Sequence, residues 1–263
     1  MDVPRPAHRG YSPSTLRLLE RSAERGLVAR LVARLPPAEA ARLHLRLRRL
    51  ARPARLGTLR RTTPLSEDFG YDRGTPVDRY YIERFLHAHR GDIRGRVLEV
   101  KDSTYTERFG TDVTQKDVLD VGPGNRCATI VADLAAADAI PDSTFDCFIL
   151  TQTLQFIYPA RSAIAHAHRI LKPGGALLAT VPAVSPIVED EHLTDYWRFT
   201  RASCTALFGE VFGRSAIRVS SYGNVLTAIA FLTGMAREEL TVHELEANDD
   251  RFAILICVSA LKR

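Results

Sequence analysis

The sequence has no apolar run near the roughly 18–20 residues that a membrane-spanning helix requires. Its longest candidate, Val225–Met235, contains Thr227 and Thr233 and reads as a core helix. Met1–Arg9 lacks the apolar segment of a secretory signal, so a cytoplasmic location is expected. Cysteine is sparse: Cys127, Cys147, Cys204 and Cys257 lie far apart and form no C-x-x-C pair. Three of them fall in apolar, strand-like runs, which points to buried free thiols in a reducing compartment and gives no basis for a metal site. Tryptophan occurs once, at position 197. Lysine is absent from residues 1–61, where 15 Arg stand against 4 acidic residues for a net charge of +11. The whole chain of 263 residues carries only +5, so the remainder carries −6. The basic character therefore belongs to an extension, which argues against reading the whole protein as a nucleic-acid binder.

The extension reads as a basic helical hairpin over residues 1–62, ahead of an α/β domain over 63–263. Residues 1–14, with three Pro and a Gly, are expected to be poorly ordered. Ser12 or Ser14 can cap a helix starting near Thr15, with Leu27, Val28, Leu31, Val32 and Leu35 on one face. Pro36-Pro37 interrupts it, a second helix begins around Ala38, and Pro53 ends that one. In the second helix Leu43, Leu47 and Leu50 form one stripe and Arg42, Arg46 and Arg49 the next. Such a hairpin can pack on the main domain or on a second copy, forming a homodimer. It can also recruit a partner enzyme, or face an acidic partner or a membrane surface. Nucleic acid is disfavoured because the two helices, residues 15–53, have no aromatic residues for stacking.

The main domain is organised around His168–Pro182. Pro173 cannot continue a helix and biases Lys172 away from helical angles, while Gly174 and Gly175 permit a tight turn. Ala176–Val181 is then a short apolar run suited to a strand covered on both faces. Ile164, Ala167 and Leu171 share one helical face that packs back on it. Further strands are expected at Arg96–Val100, Lys116–Val121, Ala128–Leu134, Phe145–Leu150, Ala216–Tyr222 and Ala253–Leu261. Helices are expected at Val77–His89, Ala202–Leu207, Val225–Met235 and Glu238–Glu246.

The run H-R-I-L-K-P-G-G resembles the turn before the fifth strand of class I methyltransferases that use S-adenosylmethionine. V-L-E-V at 97–100 and I-P-D-S-T-F-D at 140–146 resemble that family's first strand and the lead into its fourth. The resemblance covers roughly residues 71–262 and implies a Rossmann-like, seven-stranded, mostly parallel sheet with an antiparallel last strand. The family continues its first strand with G-x-G-x-G. Here the continuation is Lys101-Asp102-Ser103-Thr104-Tyr105, with no glycine until Gly110 and room for only a very short helix.

The resemblance implies a cofactor site residue by residue. Glu99, at the end of the first strand, would accept hydrogen bonds from loop amides or from the cofactor ammonium, and Asp102 would shape the loop. Asp120 would hold the ribose hydroxyls, as acidic residues do at this place in Rossmann-like sheets. Asp133 and the amide of Leu134 would meet the adenine. Thr151 and Gln152 lie at the edge of the fourth strand, where ligands bind in open α/β sheets. D-Y-W-R-F-T at 195–200 resembles a stretch in methyltransferase-like proteins of bacterial glycan and secondary-metabolite pathways.

His192 is a natural proton acceptor near neutral pH, and Asp195 can orient it or act itself. Tyr196 and Trp197 can wall the acceptor site or shield a sulfonium, or Trp197 and Phe199 can simply be core; Asp195 or Thr200 can cap the next helix. Tyr71, Arg73, Asp78, Arg79 and Tyr80 are further candidates for cofactor or substrate contacts, and Tyr80 for the acceptor. The expected activity is methyl transfer from S-adenosylmethionine to a small-molecule or glycan-type hydroxyl. Two alternatives stand beside it: a methyltransferase fold kept as a binding or scaffold module, and a different reaction in which the sulfonium acts only electrostatically.

Overall fold

The computed structural model describes residues 35–51, 57–188 and 193–263. The chain divides into two compact units after Arg60. In the first, helix α1 spans Pro37–Ala51. It opens on a proline, whose missing N–H costs nothing at a helix start. The helix expected from Ser12 or Ser14 lies outside the described residues.

The second unit is built on one seven-stranded sheet: β1 Gly95–Val100, β2 Val113–Asp120, β3 Ile130–Val131, β4 Phe145–Thr151, β5 Leu171–Pro182, β6 Ile217–Tyr222 and β7 Leu255–Leu261. The strand order is β3-β2-β1-β4-β5-β7-β6. β7 runs antiparallel to both β5 and β6, and the other pairings are parallel. This is the Rossmann-like sheet that the sequence resemblance implied. The third strand is shorter than expected, because Ala132–Leu134 leaves the sheet to enter a 3-10 turn.

Helices cover both faces. α2 Val77–Ala88, α6 Val225–Thr233 and α7 Val242–Glu246 lie on one face. α4 Ala160–Ile170 and α5 Arg201–Phe212 lie on the other, and the six-residue α3 Thr104–Phe109 follows β1. Ala163, Ile164, Ala167 and Ile170 of α4 pack with Leu98, Phe148 and Leu177, as their helical spacing requires. β5 begins at Leu171, earlier than the apolar run suggests, and takes the Pro-Gly-Gly turn in as an irregularity. Gly174 has φ +80, and a Cβ on Gly175 would stand 2.9 Å from the Lys172 carbonyl. Both positions therefore require glycine. Thr200, not Asp195, caps α5, accepting from the Ser203 amide in a reciprocal capping box. Cys147, Cys204 and Cys257 are buried free thiols, with Cys204 on a helix, and Cys127 is exposed. No helix among the described residues is long and apolar enough to cross a membrane. Nor do three His, Cys, Asp or Glu side chains gather there as a metal site.

Candidate functional site at the carboxyl edge of the sheet

Strand register brings four polar side chains to one face. Glu99 pairs with Val118 and Ile149, and Thr151 pairs with Thr180. Side chains alternate along a strand, so Glu99 lies on the face of Val97, Thr151 on that of Ile149, and Thr180 on that of Leu178. Val97, Ile149 and Leu178 all belong to the cluster packed under α2. Asp120 stands two residues beyond Val118 and joins the same face. The last rungs of β2, β1, β4 and β5 thus present Asp120, Glu99, Thr151 and Thr180 beneath α2.

α2 reverses into β1 through a short connection, so its first turn lies over the carboxyl ends of the strands. Asp78 and Arg79, in that first turn, both act electrostatically on the Tyr105 hydroxyl just beyond β1.

The loop after β1 makes its turn without glycine. Lys101 occupies the first position of the family's glycine pattern with φ +75, a left-handed conformation that non-glycine residues seldom adopt. Asp102 accepts from the Thr104 amide at 2.8 Å. Glu99 is 2% exposed and takes three donors: the amides of Tyr105 (3.0 Å) and Thr106 (2.8 Å) and the Thr106 hydroxyl (2.7 Å). Burial pushes its carboxyl up to about 7, against the pull of those donors. Glu99 meets loop amides, and both its oxygens are committed to α3.

Asp120 accepts from the Gly122 amide (3.2 Å) and from Asn125 Nδ2 (2.6 Å), and the same Asn125 nitrogen donates to the Lys101 carbonyl (2.6 Å). Asn125 ties the ends of β1 and β2 together. By sequence Gly122-Pro123-Gly124-Asn125 is a turn, and the Asn in it is the one local signal of this role. Each Asp120 oxygen keeps spare acceptor capacity. Asp133 is exposed and caps the turn Leu134–Ala136 by accepting from the Ala135 amide, while the Leu134 side chain is buried in the core.

At the end of β4, Gln152 has φ +48 and donates its amide to the Thr180 carbonyl at 2.8 Å. Gln155 is buried beside it, its Nε2 donating to the Gln152 carbonyl at 2.9 Å. The Gln155 carbonyl accepts from the amides of Tyr196 (2.8 Å) and Trp197 (3.3 Å), and the Phe199 amide donates to Pro182. The strap 193–199 is thereby fastened across the ends of β4 and β5. Trp197 is no core residue. It is 38% exposed, stacks on Tyr158 at 5.7 Å and donates Nε1 to the Ile157 carbonyl, while Phe199 is buried. Tyr196 packs against the same Tyr158 at 5.3 Å.

Two expectations need correction. Asp195 forms a two-pronged ion pair with Arg198 (2.6 and 2.9 Å) and accepts from the Val188 amide (3.0 Å). Burial would raise its carboxyl, but these bonds outweigh it and hold the group below the usual carboxylate range. An acid locked in this way pins the strap and is a poor proton acceptor. Tyr80 sits on the helical face of Glu83, Arg84 and His87, lining a shallow cleft with Arg108 and Phe109. Two residues on from Asp78, it points away from the strand ends. Arg73 is likewise engaged elsewhere, with Glu239. His192 lies outside the described residues. Among the described residues, three buried side-chain oxygens in this region have no partner: Asp78 Oδ1, Thr180 Oγ1 and Gln155 Oε1.

Residues 91–179, from just before β1 into β5, match the family model of a methyltransferase domain. No curated protein matches the sequence. Among solved structures, the chain is similar to an S-adenosylmethionine-dependent methyltransferase of Mesorhizobium loti, at 15% identity over 71% of this chain and 100% of that one, with a TM-score of 0.47. It is similar to the N-methyltransferase NodS of Bradyrhizobium japonicum in complex with S-adenosyl-L-homocysteine (15% identity, 76% and 94% covered, TM-score 0.45). A third is the 1,6-didemethyltoxoflavin-N1-methyltransferase of Burkholderia thailandensis (14% identity, 100% and 94% covered, TM-score 0.45). Residues 91–179 thus match a methyltransferase domain, and they lie in a sheet with the Rossmann-like strand order of the class I fold, the class whose methyl donor is S-adenosylmethionine.

Proposed function

We propose that this chain transfers a methyl group from S-adenosylmethionine to a small-molecule or glycan-type acceptor, held between the ends of β4 and β5 and the strap 193–199. The observation that carries the reading is the set of four polar side chains, Glu99, Asp120, Thr151 and Thr180, in the last rungs of adjacent strands on one face. A sheet that only supports a scaffold gains nothing from polar groups there, because each must be desolvated.

The residues fit the cofactor. The buried oxygens of Asp78 and Thr180 await a polar partner. Lys101 keeps the left-handed turn that the family builds with glycine. Asp120, braced by Asn125, has acceptor capacity left for ribose hydroxyls, and the Leu134 amide is the expected adenine contact. Bound S-adenosylmethionine would supply an electrophilic methyl on a sulfonium.

The protein's part is mainly alignment. Gln152 and Gln155 orient the acceptor, and Tyr158, Tyr196 and Trp197 wall it from water. Neither Gln can take a proton and Asp195 is held ionised by Arg198, so His192 is the remaining candidate for that role. A hydroxyl acceptor depends on such a base, whereas a neutral amine can attack first and lose its proton afterwards. The basic extension stays a candidate docking element for a second copy or a partner enzyme.

Calorimetric titration with S-adenosylhomocysteine tests the reading. Micromolar binding, lost in Asp120→Ala with the fold intact, is the expected result. A folded chain that binds neither this ligand nor S-adenosylmethionine overturns the reading in favour of a binding module.

A further inference from the structure

Asp78 is the second residue of α2 and is 6% exposed, and its Oδ1 has no hydrogen-bond partner among the described residues. A buried carboxylate oxygen without a partner is costly, and burial pushes this carboxyl up against the pull of the Arg79 charge and of backbone N–H groups. Native proteins keep few such groups, and each asks for an explanation in strain, bound water or a ligand. The neighbouring Arg79 is also underused. Its Nε donates to the Tyr71 hydroxyl at 3.0 Å and its guanidinium also engages the Tyr105 hydroxyl, which leaves part of a forked donor unused.

An anion and a cation therefore stand side by side in the first turn of α2, over the carboxyl edge of β1 and within electrostatic reach of Tyr105. Of the other carboxylates at this edge, Glu99 already takes three donors from Tyr105 and Thr106, and Asp120 is braced by Gly122 and Asn125 at the ribose end.

We propose that Asp78 and Arg79 form a clamp for an α-amino-acid zwitterion, Asp78 receiving the ammonium and Arg79 the carboxylate of the cofactor's methionine moiety. The clamp rests on the methyltransferase reading. It explains how a loop without G-x-G-x-G can serve a cofactor: the amino-acid end is gripped from above, by a helix that precedes the sheet, rather than cradled by loop backbone. It also assigns the buried Asp78 oxygen a partner.

The test uses two ligands that differ only at the amino-acid end. The full chain and Asp78→Asn are titrated calorimetrically with S-adenosylhomocysteine and with 5′-methylthioadenosine, which lacks the zwitterion. Asp78→Asn is expected to weaken S-adenosylhomocysteine by about 10-fold or more, the scale of a lost hydrogen bond to a charged group, and to leave 5′-methylthioadenosine unchanged. Its thermal midpoint should hold or rise, since the desolvation of a buried charge is removed; a purely structural Asp78 would lower it.

Equal affinity of variant and wild type for S-adenosylhomocysteine overturns the clamp, as does an equal loss for both ligands. Should Asp78→Asn not fold, the wild-type chain is titrated with desamino S-adenosylhomocysteine. Weaker binding than for the parent supports the clamp and equal binding overturns it. A wild-type chain that binds neither nucleoside overturns the methyltransferase reading itself, and the clamp falls with it; that result is seen before any variant is made.

Discussion

The two faces of the sheet change differently toward its carboxyl edge. On the face under α4 and α5, the strands stay apolar to their ends, through Leu98, Leu119, Leu150, Ala179 and Val181. On the face under α2, the apolar rungs Val97, Ile149 and Leu178 give way to Glu99, Asp120, Thr151 and Thr180. Both faces are made by the same strands, one residue apart. The difference teaches that one face is committed to stability, while the other gives up apolar burial at its edge in exchange for groups that can meet a ligand.

Substitutions can break this contrast. The largest effect is expected on the apolar face: Phe148→Ala, at a fully buried position, should cost about 3–5 kcal/mol in urea unfolding. A small loss there would mean that this face is not the main store of stability. On the polar face, Glu99→Gln sets an amide nitrogen against donors now aimed at a carboxylate, and should cost about 1–2 kcal/mol.

Glu99 also carries a pH signature. Its carboxyl in the folded protein lies at about 7, above its ordinary 4.5, so the folded state holds the extra proton between these values. Its stabilising contribution is full below pH 4.5 and is lost as pH rises through about 7. Unfolding curves at several pH values should show that decline in the wild type and not in Glu99→Gln; identical slopes would place the proton elsewhere. The smallest effect belongs to Thr180→Val. Its hydroxyl is fully buried and unpartnered, so removing it should leave stability unchanged or raise it by up to about 1 kcal/mol, read from the melting curve. A clear loss would mean that Thr180 has a partner in the folded protein without ligand.

Much of this contrast is legible in the sequence. V-L-E-V, K-D-V-L-D-V and F-D-C-F-I-L each carry their apolar residues and their terminal polar residue in the right order. Period-two alternation then decides which residues share a face. The Asp195–Arg198 pair, three residues apart, was in principle visible, but nothing local distinguishes an acid pinned by an arginine from one free to take a proton. Asn125 reads as an ordinary turn residue until the end of β1 is brought beside it. Asp78 is the extreme case. An acidic residue in the first turn of a helix is an ordinary solvated feature by sequence. Only the packing of α2 on the sheet buries it.

The sequence by itself determined where strands run and which residues end them, because apolar periodicity and turn chemistry act over a few neighbouring positions, and its family resemblance implied the seven-stranded sheet. Charge alone also marks the basic extension in the sequence. Only the tertiary structure decided which polar groups keep a free lone pair or proton. Hydrogen-bond partners come from distant parts of the chain: Asn125 braces Asp120, and α3 consumes Glu99. Desolvation, too, depends on what is packed on top. Asp78 became a candidate ligand group because its own helix packed on the sheet without bringing Oδ1 a partner.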